Sequence, residues 1–304
     1  MKVITSRSGP RTAYLVLATV LFVGSSHVRA QAWVQKSTAD SEWIVFSSGR
    51  SGGGDVYAVQ AISGEFIHVA DSPAPESSVR YDSHRDRIVY TRYDDRRAML
   101  VSEGRDLFED PNGDVAPVWS PDGWRIAYTA MRRGQEDLYV ARRDGSREKR
   151  FTNDAETDRY PAWSPDGNHI VFARRDVKGW DLFTLDLRDP SPVPERLTQD
   201  SVYVGHPAWS PDGQFIAFDT LVDGQSEIAM LEVESGEITR LTERAGNDLV
   251  PSWSLDGRRL AFGARPDSTG NWDIWTVDVE TKVIERVTKH ADFDGGPVVV
   301  PASA

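Results

Sequence analysis

Short apolar runs alternate with turn-forming residues along this chain. Arg125-Ile126-Ala127-Tyr128-Thr129 and Asp137-Leu138-Tyr139-Val140-Ala141 read as strands by apolar alternation, with Arg133-Gly134-Gln135-Glu136 as the turn between them. Arg143-Asp144-Gly145 is a hairpin signal, and Lys149-Arg150-Phe151-Thr152 follows as an edge strand. Ahead of these, Val118-Trp119 is a short strand that enters the turn Ser120-Pro121-Asp122-Gly123. Proline supplies the fixed φ of that turn and glycine the positive one. The pattern predicts a unit of four antiparallel strands and no helix.

The unit repeats. Trp163-Ser164-Pro165-Asp166-Gly167, Trp209-Ser210-Pro211-Asp212-Gly213 and Trp253-Ser254-Leu255-Asp256-Gly257 restate the turn at spacings of 44, 46 and 44 residues, a length that suits one propeller blade. Ile170-Val171-Phe172, Ile216-Ala217-Phe218 and Leu260-Ala261-Phe262 then fall in the second-strand position. A degenerate copy places Tyr81-Asp82-Ser83-His84-Arg85 ahead of Ile88-Val89-Tyr90. The earliest unit, with Ile44-Val45-Phe46 and Asp55-Val56-Tyr57, lacks a first strand, while Gly296-Pro297-Val298-Val299-Val300 is a first strand with nothing after it. Joining the two closes a ring and removes exposed sheet edges. The expected fold is an all-β, six-bladed β-propeller of four-stranded antiparallel blades, with the C-terminal strand completing the first blade.

With four near-intact copies of Trp-Ser-Pro-Asp-Gly, each followed by an aliphatic strand and then strands such as Asp137-Leu138-Tyr139, the chain resembles the TolB-like β-propellers and their WD-type repeat over residues from about 40 to 300. That family carries an α/β domain ahead of its propeller, whereas here about ten residues separate the expected cleavage site from the first strand. The resemblance implies a periplasmic envelope protein that binds other proteins.

The N-terminus fits export. Lys2, Arg7 and Arg11 precede an apolar run from Tyr14 to Val23, shorter than the roughly 20 residues a membrane helix needs. Small-residue patterns at Val28-Arg29-Ala30 and Ala30-Gln31-Ala32 follow. Residues 1–30 are read as a signal peptide, 31–40 as a linker and 41–304 as the propeller, in the periplasm or secreted, with no membrane span in the mature chain. There is no cysteine, so no disulfide supports the fold. The formal charge is −12, and loss of the four basic residues Lys2, Arg7, Arg11 and Arg29 takes it to −16. Such a chain lacks the clustered Lys and Arg that nucleic acid requires. A monomer with a cationic, metal or protein partner is the expectation.

Candidate chemistry lies ahead of each repeat. Three residues before the first-strand proline stand Asp114, Asp158, Asp248 and Asp294; Glu76 holds the equivalent place before Val79, and only Val204 breaks the series. In a propeller these acids would gather at the mouth of the central channel. As ligands they would suit a hard cation such as Ca²⁺, held at Asp114, Asp158, Asp248 and Asp294, or the basic tip of a partner. As structural groups, each would cap a loop or accept amides from a neighbouring blade. Tyr160, Trp180, Tyr203 and Trp272 would form a contact surface or pad the blades. The Gly49–Gly53 segment matches Gly-x-Ser-x-Gly around Ser51, but a hairpin between strands is the wrong setting for a nucleophile elbow. His68, His84, His169, His206 and His290 show no metal-ligand spacing, and only His206 falls near the mouth. Two functions follow: a non-catalytic propeller that binds a protein or peptide at an acidic funnel, or a glycan-active lyase or hydrolase that uses channel carboxylates.

Overall fold

The burial of each second strand explains why its sequence is a continuous apolar run. Ile170, Val171, Phe172 and Ala173 are all fully buried, because the strand is covered on both faces by neighbouring sheets. Outer strands are short and charged, as in Lys149–Arg150 and Glu195–Arg196, which blunts the edge they expose. The computed structural model describes residues 42–50, 55–61, 63–70, 76–82, 87–94, 97–102, 105–110, 117–132, 134–199, 203–266 and 270–301. The expected signal peptide and linker, Ser51, His84 and Asp114 lie outside them.

The described strands form four-stranded antiparallel sheets ordered from an inner strand outwards. The fourth sheet consists of Thr157–Trp163, His169–Arg175, Trp180–Asp186 and Glu195–Arg196. The fifth consists of Val204–Trp209, Phe215–Val222, Gln225–Glu232 and Ile238–Arg240, and the sixth begins with Asn247–Trp253. In the first sheet the inner strand is Asp294–Pro301, which pairs antiparallel with Glu42–Ser48 through Trp43↔Val300, Ile44↔Val299 and Val45↔Val298. The expectation of a six-bladed propeller is corrected. The described side chains build five core clusters and describe five blades with their packing. The sheet of Glu76–Asp82, Arg87–Asp94, Arg97–Ser102 and Arg105–Asp110 is given by strand pairing, with Val79 and Tyr90 as its described buried side chains.

Two local devices recur. In the Trp-Ser-Pro-Asp-Gly turns the serine hydroxyl donates to the aspartate, at 2.6 Å in Ser210–Asp212 and Ser254–Asp256, and accepts the amide five residues on, Phe215 and Arg259 at 2.9 Å. The turn glycines have φ between 67° and 74°, a region that favours glycine. The tryptophan indole then reaches the preceding blade: Trp163 Nε1 donates to the Val118 carbonyl at 3.1 Å, and Trp253 Nε1 to the Ala208 carbonyl at 3.0 Å. At the outer edge Thr152, Thr198, Thr242 and Thr288 accept the amides of Leu138, Leu182, Ile228 and Ile274 at 2.8–2.9 Å, which ties the segment after each fourth strand to the third.

Candidate functional site

Three successive inner strands break their register midway. The slips fall between Arg159 and Ala162, between Gly205 and Ala208, and between Leu249 and Ser252. Within them Tyr160, His206 and Val250 take φ values of 56°, 46° and 57°, and Gly296 holds the same place with 62°. A proline follows each one. Left-handed backbone is unfavourable for non-glycine residues, above all β-branched valine, and a following proline restricts it further. Strain of this kind persists only where the surroundings over-determine it. Tyr160, His206 and Val250 line a channel cavity of about 160 Å³ together with Pro161, Pro207, Pro251 and Pro297.

Of the predicted acids, Asp158, Asp248 and Asp294 stand on these inner strands, two residues ahead of the left-handed positions. Asp158 is fully buried and bonded by Arg174 through Nε at 2.6 Å and Nη2 at 2.8 Å. Asp248 accepts from Arg244 at 2.5 Å. Asp294 accepts from the Ser48 hydroxyl at 2.6 Å and from Arg50 at 2.7 Å. Burial pushes the Asp158 and Asp248 carboxyls above their ordinary range, against the pull of their arginines. Glu76 begins its strand opposite Arg92. Among the described residues no three His, Asp or Glu side chains gather where they could hold a metal ion.

The blade that breaks the acid series carries a different arrangement. Its inner strand has Val204 in place of the acid, and its second strand has Asp219 where the other described blades have Ser47, Thr129, Ala173 and Gly263. Asp219 is fully buried. Its Oδ1 lies 2.7 Å from His206 Nδ1 and accepts the Val250 amide at 3.1 Å, so one carboxylate fastens the bulges of two adjacent blades. Its Oδ2 has no hydrogen-bond partner. The Tyr160 ring lies over His206 with centroids 3.9 Å apart.

Towards the mouth the cluster continues. Tyr203 places its hydroxyl against Gly205, where a Cβ would meet ring carbon Cζ at 2.9 Å. Trp180 meets the Tyr203 ring edge-on at 6.2 Å, and the Arg159 guanidinium lies 5.7 Å from the Trp180 ring centre. Arg159 also grips Glu136 of the preceding blade with Nε and Nη2, at 2.5 Å and 2.8 Å. Burial pushes the Tyr160 and Tyr203 hydroxyls up, so both stay protonated near neutral pH. The result is a half-buried aromatic wall with an imidazole and a guanidinium, an arrangement suited to stacking and hydrogen-bond recognition.

Of the residues singled out from sequence, Tyr160, Trp180, Tyr203 and His206 come together here. Trp272 lies just ahead of a strand of the sixth sheet, under Arg265, and His68, His169 and His290 stand beside carboxylates elsewhere. Asp219, Arg159 and Glu136 were not anticipated. The signal for Asp219 was present as a charged residue at a position that is small or hydroxylic in the other described copies.

The family description "TolB beta propeller domain" matches residues 102–188 and 190–303. The Tol-Pal system protein TolB of Francisella tularensis subsp. mediasiatica is 29% identical over 65 residues, 21% of this chain and 15% of that protein. The solved TolB from Acinetobacter baumannii superposes with a TM-score of 0.74 at 18% identity, covering 87% of this chain and 68% of that one. An oligogalacturonate lyase solved in complex with manganese reaches 0.57 at 13% identity, covering 82% and 74%. The matches span a quarter or less of the curated relatives' own length. At these identities the solved structures show a shared fold.

Proposed function

From the premise that this chain belongs to the TolB β-propeller family, whose description matches more than half of it, we propose an exported, non-catalytic propeller that binds a protein or peptide partner at the channel mouth, in the periplasm. The observation that carries this reading is the cluster of Tyr160, Trp180, Tyr203 and Arg159, of which Tyr160 lines a cavity edged by strained backbone. Half-buried Trp, Tyr and Arg are the residue types that dominate binding energy at protein interfaces. The funnel's recognition then rests on this aromatic cluster rather than on summed negative charge, because Asp158, Asp248 and Asp294 are bonded to arginines. Capture of partners from an envelope extract by the tagged protein tests it. Loss of the partner with the double variant Trp180→Ala and Tyr203→Ala is expected; retention of every partner would overturn the reading.

A glycan-active enzyme is the second reading, and one observation favours it: a histidine paired with a buried carboxylate at the channel wall. It requires turnover of an acidic oligosaccharide that Asp219→Asn abolishes, whereas the binding reading requires no turnover.

A further inference from the structure

We propose that the channel cavity beside His206 receives an ammonium group on an aliphatic stem, the tip of a lysine side chain of the partner, with His206 Nε2 accepting its hydrogen bond and Asp219 supplying the counter-charge from behind. The inference rests on the partner-binding reading and gives that site its ligand chemistry.

The polarity of the imidazole follows from its partners. Asp219 Oδ1 already takes the Val250 amide, so a carboxylate there accepts from His206 and the Nδ1 side carries the proton. Nε2 is then the nitrogen left for the cavity, and in the neutral ring it is an acceptor. The charged and titratable groups around the ring are Asp219 on its own blade, Tyr160 and Tyr203, and the Arg159–Glu136 pair. The next inner strand contributes Val250 and Ser252. Arg159 and Glu136 cancel each other. Asp219 is fully buried among these groups, and its Oδ2 has no hydrogen-bond partner. A buried carboxylate in that state favours a cation nearby.

The shape of the cavity selects the cation. Its wall is largely aliphatic, built from Pro161, Pro207, Pro251, Pro297, Val250 and Val298, and its volume of about 160 Å³ is close to that of a cavity able to admit a benzene-sized guest. Lysine lays a four-carbon stem along apolar surface and keeps a compact point charge at the end. Tyr160 borders the same space, and an aromatic face attracts a cation. The chain's net charge of −12 adds a long-range attraction of the same sign.

The test is calorimetric titration of the whole protein with three probes: N-acetyl-lysine methylamide, its norleucine analogue, which has a similar stem and no charge, and n-butylamine. The lysine probe is expected to bind about tenfold or more tightly than the norleucine probe. Asp219→Asn is expected to remove that preference, and so is His206→Gln, which leaves Asp219 in place should the first variant fold poorly by circular dichroism. Tighter binding of the lysine probe than of n-butylamine assigns the site to a peptide side chain, and equal binding assigns it to the amine alone; both support the ammonium site. Equal binding of the lysine and norleucine probes overturns the inference, as does retention of the preference in both variants or no binding of any probe at millimolar concentration. If the partner is still captured through Trp180 and Tyr203, the parent reading survives that failure.

Discussion

His206 Nδ1 lies 2.7 Å from Asp219 Oδ1, and both residues depart from the repeat that surrounds them. Where other described inner strands place an acid, this blade has Val204, and where other second strands place a small or hydroxylic residue it has Asp219. A repeat tolerates change most easily at its surface. Two linked exceptions within one buried blade wall indicate a local task, and the strained backbone at Tyr160, His206 and Val250 lies at the same spot.

The ring acids act first on stability. Asp158→Ala leaves Arg174, itself only 7% exposed, without its bidentate partner, and loss of one member of a buried pair costs roughly 3–5 kcal/mol. Urea unfolding should show a midpoint lowered accordingly. Thermal melting with a chelator should match melting in Ca²⁺, since both oxygens of Asp158 and Asp294 are taken by Arg and Ser and Asp248 Oδ1 by Arg244. A Ca²⁺-dependent rise in Tm that Asp248→Asn abolishes would instead establish a cation in the funnel.

Trp163 is buried between the third and fourth blades, stacked under Arg125 at 4.6 Å and bonded to Val118. Trp163→Ala should cost roughly 3–5 kcal/mol, the usual price of emptying a core of a large aromatic ring. An unchanged melting temperature would contradict the placement of this residue between blades.

Acid should weaken the turns. The Ser164 hydroxyl, helped by the Asn168 amide, lowers the Asp166 carboxyl to about 2, and Ser210 and Ser254 lower Asp212 and Asp256 in the same way. Because the folded value lies below the unfolded one, each contributes stability above the ordinary carboxylate range and loses it as pH falls through its lowered value, about 2 for Asp166. Asp137, Asp158, Glu227 and Asp248 are raised by burial and act in the opposite sense, so the comparison needs a variant. Between about pH 4 and pH 2 the wild type should lose stability more steeply than Ser164→Ala. Equal slopes would contradict the assignment.

What could be read from the sequence was what the chain settles locally. The turn from Ser164 to His169 closes through bonds within five residues, and the fully buried Ile170–Ala173 run declares a strand covered on both faces. The acids were visible as positions, but their partners were not. Asp158 meets Arg174 across a strand pair, and Asp294 meets Arg50 from the far end of the chain. Charge counted along the sequence therefore suggested an open acidic funnel, where the folded chain pairs three of those acids. Asp219 stands on a second strand, away from the acids that precede each repeat, and its partnership with His206 depends on a bulge that only the folded register creates.

The most direct measurement of the central claim, that the partner docks on the channel-mouth face, exploits the absence of cysteine from this chain. Val177 lies fully exposed in the turn just before Trp180 at the mouth, and Leu255, 49% exposed, lies in a turn at the opposite end of the inner strands. Val177→Cys and Leu255→Cys, each labelled with a bulky maleimide-polyethylene glycol, should separate the two faces in partner capture. The account predicts that the adduct at 177 blocks capture while the adduct at 255 leaves it intact. Capture that survives modification at 177 and fails at 255 would contradict it.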